Sequence, residues 1–180
     1  YHDHPELLPD EDTEREMYYE TKSMLHKQGF ERYEISNYAK PGYECRHNIG
    51  YWTGTEYLGL GLGASSYIQG FRFHNESDLS LYDKIQMTGT DADEKLHQEI
   101  TKLSDKEKME EFMFLGLRMI KGVSGSEFFQ RFGQNMWNVY GNVLNKLKDE
   151  GLIIVDMPDV RLSDYGIDVS NYVLSEFLLD

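Results

Sequence analysis

Apolar and polar positions alternate along the chain with two different periods. Behind Asp10-Glu11-Asp12-Thr13, Met17, Tyr18, Met24 and Leu25 fall at roughly helical spacing. The leading residues supply an N-cap with acids in the first turn, and Gly29 stops the run. Phe30 to Ile35 then alternates apolar and polar, which predicts a strand. A helix and a strand joined by a glycine make half of an α/β repeat. Asn37 to Gly54 has few apolar runs, two turn glycines and Pro41, and is expected to be a long loop. Such loops are uncommon inside domains and often functional. Tyr57 to Tyr67 reads Tyr-Leu-Gly-Leu-Gly-Leu-Gly-Ala-Ser-Ser-Tyr, a strand whose bare side would admit a ligand or another chain. Ser66 to His74 has strand character beside it, and Leu79 to Met87 predicts a short amphipathic helix.

A domain junction is expected near residues 88–103, where large apolar residues thin out to Leu96 and Ile100. Ser104-Asp105-Lys106-Glu107 is a capping-box pattern. The helix behind it runs to about Ile120, and its Met109, Phe112, Met113, Leu115, Leu117 and Met119 read as core rather than as a cofactor box. Helices are expected over Ser126 to Phe132 and Asn135 to Glu150. Leu152 to Val155 and Val160 to Leu162, joined at Met157-Pro158-Asp159, predict a hairpin, and a last helix covers Val169 to Leu178. Three helices followed by a hairpin is the order of a winged-helix domain. The chain therefore divides into residues 1–95, of α/β character, and residues 96–180, of α+β character.

Composition narrows the function classes. With 18 Lys+Arg against 32 Asp+Glu, the 180-residue chain carries a net charge of −14. That sign disfavours a general phosphate-backbone binder. The expected wing tip, with Asp156 and Asp159, and the helix before it, with Lys146 and Lys148 offset by Asp149 and Glu150, are poor nucleic-acid surfaces. At 39% hydrophobic and 13% aromatic the chain can bury a core. It has no apolar run long enough to span a bilayer and no basic-then-apolar leader, so a cytoplasmic location is expected. It opens at Tyr1, which reads as a fragment or a processed chain. The single cysteine, Cys45, excludes an internal disulfide framework and an iron–sulfur cluster held by this chain alone. His2-Asp3-His4 allows a metal reading or a solvated acidic loop, and no second ligand cluster lies nearby.

The densest candidate chemistry runs from Tyr33 to Tyr67. Within six residues stand His47, Asn48, Tyr51 and Trp52. A neutral imidazole suits haem iron or another borderline metal. Tyr51 and Trp52 offer flat faces with an O–H and an N–H, and Asn48 could orient the histidine or meet a propionate. The residues equally allow a loop whose aromatics pack on a core.

These pieces come in a particular order: Tyr33-Glu34-Ile35-Ser36-Asn37-Tyr38-Ala39, Pro41-Gly42, His47-Asn48-Ile49-Gly50-Tyr51-Trp52, and Tyr57-Leu58-Gly59-Leu60-Gly61. Arg161-Leu162-Ser163 and Ser170-Asn171-Tyr172 follow near the end. In this order they resemble the oxygen-independent coproporphyrinogen III oxidase-like proteins of the radical S-adenosylmethionine superfamily. The resemblance is to the haem-chaperone (HemW-type) branch more than to the dehydrogenase (HemN-type) branch, since His-Asn-x-x-Tyr-Trp marks the former and is tied there to haem binding.

The resemblance implies the last strands and helices of a partial (β/α) barrel, followed by a winged-helix-like carboxy-terminal domain that covers the barrel mouth. It implies haem at His47, Asn48, Tyr51 and Trp52, with His47 as axial ligand to the iron. It implies weaker contacts to S-adenosylmethionine at Ala39 and Tyr67. The family's [4Fe-4S] cluster rests on a C-x-x-x-C-x-x-C motif that is absent from this sequence, so only the carboxy-terminal portion is matched and no radical chemistry is expected of this chain alone. The implied role is to bind haem and pass it to an acceptor protein. Anaerobic decarboxylation of coproporphyrinogen III is the alternative, and an interaction module without catalysis is a third.

Overall fold

The computed structural model describes residue 4, residues 7–85 and residues 95–179. His2, Asp3 and Pro5, and the start of the expected junction, lie outside the described residues. Helix α1 (Glu11–Lys27) begins where Asp10 accepts a hydrogen bond from Thr13 N, with Glu11, Asp12 and Glu14 in its first turn. None of its residues is buried, and Met17 and Met24 stand exposed. The strand expected over Phe30 to Ile35 shrinks to β1 (Glu31–Arg32), antiparallel to β2 (Tyr38–Ala39). All strand pairings among the described residues are antiparallel, so the α/β repeat is present only as α1 leading into β1.

The expected long loop is not structureless. It contains β2 and helix α2 (Arg46–Trp52). Further on, β3 (Ser65–Ile68), β4 (Phe71–Asn75) and β5 (His97–Lys102) form one three-stranded sheet. This sheet takes its third strand from beyond residue 95. Helix α3 covers only Leu79–Tyr82 of the expected Leu79 to Met87, and Gln86 and Met87 are outside the described residues.

The expected glycine-rich strand is instead a folded-back loop. Its last three residues, Ser65 to Tyr67, belong to β3, and of residues 57–64 Tyr57 alone forms a bridge, across to Tyr67. Gly61 and Gly63 take positive φ, which bends the chain. At Gly59 the chain passes so close to β3 that a Cβ would lie 2.2 Å from Ser65 O. The buried Asn75 fastens this loop by donating to Gly59 O and Gly61 O, and buried Ser66 Oγ accepts from Gly59 N. The glycines thus serve tight turns and close packing rather than an open strand face.

The second half is the better packed. Helix α4 (Asp105–Gly116) starts at a complete capping box between Ser104 and Glu107. It is followed by α5 (Gly125–Phe132), α6 (Met136–Asp149), and the hairpin β6 (Ile153–Asp156) and β7 (Asp159–Leu162). The expected final helix is split into α7 (Asp164–Asp168) and α8 (Ser170–Ser175), with Ser163 capping α7 at Gly166 N. Met113, Leu117, Phe128, Tyr140, Leu144 and Phe177 form the centre of one core, each at most 1% exposed. Phe128 touches Phe112, Phe132 and Tyr140, the last of which meets Phe177 edge-on. The Met and Phe residues of α4 are therefore core, as their spacing indicates.

Candidate functional site

Helix α2 carries the four residues singled out above. Over 3.6 residues per turn, positions 47, 48, 51 and 52 fall on one side of a helix. His47 and Tyr51, four apart, meet edge to face with ring centroids 4.7 Å apart. Tyr51 meets Tyr57 in the same way, also at 4.7 Å. His47 is exposed, and neither ring nitrogen takes a hydrogen bond or ion pair among the described residues. By contrast, His26 is paired with Glu31, and His74 Nδ1 lies 2.8 Å from Asn75 O. Asn48 is half-buried and makes no hydrogen bond to His47 among the described residues. Adjacent helix positions diverge by about 100°, so the group that fixes the imidazole is Tyr51.

Trp52 sits deeper. The Arg118 guanidinium lies over its ring, 4.3 Å from the centroid, and its buried Nε1 has no acceptor. Arg118 is held from the other side by Glu34, which is fully buried, at 3.9 Å. Glu34 Oε1 in turn accepts from Ser36 N and Asn37 Nδ2. The backbone joins the same partners: Ile35 N donates to Arg118 O, and Ile120 N to Tyr33 O. The segment Tyr33 to Asn37 is thus stitched to the turn after α4, and the resulting arginine props the indole.

Trp52 and Tyr51 form one wall of a cavity of about 450 Å³. This lies within the range of about 300–1,000 Å³ usual for small-molecule pockets. Tyr57 and Tyr67 border it from the β3 side, and Phe112 and Phe132 from α4 and α5. Four cations, Arg72, Lys108, Lys121 and Arg131, and two carboxylates, Glu111 and Glu127, complete its rim. Arg72 pairs with Glu111 at 2.9 Å. Burial pushes the Glu111 carboxyl upward and Arg72 partly opposes this. Burial also raises the Tyr57 phenol. Arg131 pairs with Glu127 and donates to Thr53 O just beyond α2.

Of the residues picked from the sequence, Tyr51, Trp52 and Tyr67 therefore meet at this cavity, while His47 and Asn48 lie beside it on α2. Ala39, buried in β2, is on a different sheet from Tyr67 and does not line the cavity. Glu34, Arg118, Lys121 and Arg131 were not singled out. Glu34 and Arg118 pair across distant segments, Arg131 reaches Thr53 O as well as its helical neighbour Glu127, and Lys121 carries no pattern of its own.

The donor set discriminates between metal groups. No cluster of three or more His, Cys, Asp or Glu side chains able to hold a bare ion occurs among the described residues. Haem iron brings its own four ring nitrogens and needs a single protein imidazole, which the free His47 fits. A [4Fe-4S] cluster needs several thiolates, and the lone exposed Cys45 does not fit it.

Residues 103–169 match the family model of the HemN C-terminal domain. The chain is 37% identical over 173 residues to the heme chaperone HemW of Lactococcus lactis subsp. lactis (strain IL1403), covering 96% of this chain and 44% of that protein. It is 36% identical over 172 residues to the heme chaperone HemW of Bacillus subtilis (strain 168), covering 95% of this chain and 44% of that protein. The chain thus spans less than half the length of these relatives. Among solved structures it resembles coproporphyrinogen III oxidase (HemN) from Escherichia coli, a radical SAM enzyme, with TM-score 0.73 and 17% identity over 95% of this chain and 42% of that one. No described helix is long and apolar enough to cross a membrane. By these relatives and the ordered motifs around α2, the chain is similar to the carboxy-terminal portion of HemW heme chaperones, and its residues 103–169 match the HemN C-terminal domain family.

Proposed function

We propose that this chain is the haem-holding part of a haem chaperone that passes haem to an acceptor protein. The observation that carries the reading is the α2 side chain set: an exposed imidazole with both nitrogens free, braced by Tyr51 and adjoining an aromatic-walled cavity. His47 would hold the haem iron in this reading. Tyr51 and Trp52 supply flat apolar contact, and Asn48 is a polar flank at the rim. Bound haem would supply the iron that accepts the imidazole; the chain's own part is to present that nitrogen, cover the ring with aromatic surface and hold Trp52 in place through Arg118.

Finer parts of the reading belong to the same proposal. Residues 1–95 are the closing segment of a partial (β/α) barrel. Residues 96–180 are a winged-helix-like lid, supported by the order α4, α5, α6, β6, β7. Ala39 and Tyr67 are backbone contacts to S-adenosylmethionine in the intact protein, and the [4Fe-4S] ligands come from a part that this sequence does not contain.

Haemin titration of the full chain tests the reading. His47→Ala is expected to weaken haemin binding and shift the Soret band. An unchanged spectrum and affinity would remove His47 from the role. Anaerobic coproporphyrinogen III oxidation is the competing activity, and turnover of that substrate without haem transfer by the intact protein would favour it.

A further inference from the structure

The sign of the cavity rim runs against that of the molecule. The protein carries −14 overall, yet the rim has four cations against two carboxylates. A cleft that reverses the sign of its surroundings concentrates the ligand charge it is short of. The cations are not equivalent. Arg72 is matched by Glu111, Arg131 by Glu127, and Lys108 by Asp105. Lys121 alone among these four is exposed with no hydrogen bond or ion pair among the described residues. It stands in the turn after α4, between Ile120, which is hydrogen-bonded to Tyr33, and Val123, which exchanges two hydrogen bonds with Val160 of β7. Its backbone is therefore fixed while its ammonium is uncommitted.

The rest of the wall excludes some anions and suits others. Tyr51, Trp52, Tyr57, Tyr67, Phe112 and Phe132 give flat apolar and aromatic surface. A phosphate is usually cradled by backbone N–H groups at a helix start or glycine loop, and this rim offers side chains. A planar apolar ring with a carboxylate at its edge matches both features. Such a ligand buries its face on the rings and keeps its charge at the rim, where a charge-assisted pair is worth more than in open water.

We propose that the cavity receives the carboxylate-bearing edge of a tetrapyrrole, with Lys121 pairing one carboxylate. This rests on the haem reading above, but assigns a different atom of the ligand to a different residue. His47 holds the iron; Lys121 holds a propionate. The two contacts are separable, since iron is not required for the second.

The test is a set of titrations of the full chain, read by tryptophan quenching and ligand absorbance. The probes are haemin, metal-free protoporphyrin IX, and protoporphyrin IX dimethyl ester, in which both carboxylates are masked. The diacid is expected to bind at least about tenfold more tightly than the diester. Lys121→Glu is expected to abolish that preference. Lys148→Glu, which makes the same charge change on exposed α6 away from the cavity, should leave the preference intact. His47→Ala should weaken haemin but not protoporphyrin IX. Equal affinity for diacid and diester in the unmodified chain, or an equal loss from Lys148→Glu, overturns the Lys121 assignment while leaving the haem reading standing. Failure of the unmodified chain to take up haemin overturns both.

Discussion

At the scale of single residues, Trp52 rests on a chain of contacts that runs through Arg118 to Glu34. An indole under a guanidinium at 4.3 Å gains about 0.5–2 kcal/mol from the cation–ring contact. That guanidinium is also the counter-charge to a fully buried carboxylate. Removing one partner of a buried ion pair strands the other, at a typical cost of about 3–5 kcal/mol. Arg118→Ala is therefore expected to lower stability by about 3 kcal/mol, measured by urea denaturation. The double variant Glu34→Gln with Arg118→Met should recover much of it, because no charge is then left buried. If Arg118→Ala unfolds like the unmodified chain, the pair is not holding Trp52. A second residue-scale expectation concerns Tyr51. Tyr51→Ala should weaken haemin binding without removing the iron contact, since the imidazole loses its brace but keeps its nitrogen. Retained affinity in that variant would show that the edge contact between the rings is incidental.

Elements differ in how much of themselves they declare in sequence. Helix α4 is announced by Ser104 and Glu107, and the capping box is present in full. Ser104→Ala should cost about 1 kcal/mol. The Ser104 hydroxyl and amide hold the Glu107 carboxyl below its ordinary range. Because the folded state prefers the ionised form, this contribution is present above the ordinary carboxylate range and is lost as pH falls through the lowered value. Thermal melts of the Ser104→Ala chain and its parent should therefore converge in acid. Helix α6 and hairpin β6–β7 were legible for similar local reasons: Asn135 caps the one, and a Pro-Asp turn closes the other.

Helix α2 was hidden. It is seven residues long, starts at Cys45 with no side-chain cap and contains Gly50, so neither period nor cap signals it. The glycine loop misled in the opposite sense, since alternating Leu and Gly imitate a strand. Asn75 holds that loop from 16 and 14 positions away, and Ser66 from 7. The turn at Gly122 is fixed just as remotely. With φ at +75°, a Cβ there would sit 2.0 Å from Val160 O. Gly122→Ala should destabilise by at least about 2 kcal/mol, read in the same denaturation assay.

For the whole molecule, what could be read in advance was the chemistry that shares one stretch of chain. The motif on α2 was legible because its four residues are neighbours in sequence. The cavity was not, because its opposite wall comes from residues 108–132. The partition of work across the molecule also sets a limit on this chain. With one exposed cysteine, it should assemble no [4Fe-4S] cluster on reconstitution with iron and sulfide, and should not cleave S-adenosylmethionine under reducing conditions. Cleavage by the isolated chain would contradict the thiolate count. Haemin binding, conversely, should raise the midpoint of thermal unfolding with the logarithm of ligand excess.

The Arg118 side chain is wedged as a lever between a sealed acid and an indole. The lever's base is in the turn that follows α4, and its tip rests under the ring platform. In the proposed carrier role, a displacement of that turn would reach the indole through the guanidinium, which would couple the carboxy-terminal half to the face that takes the ring.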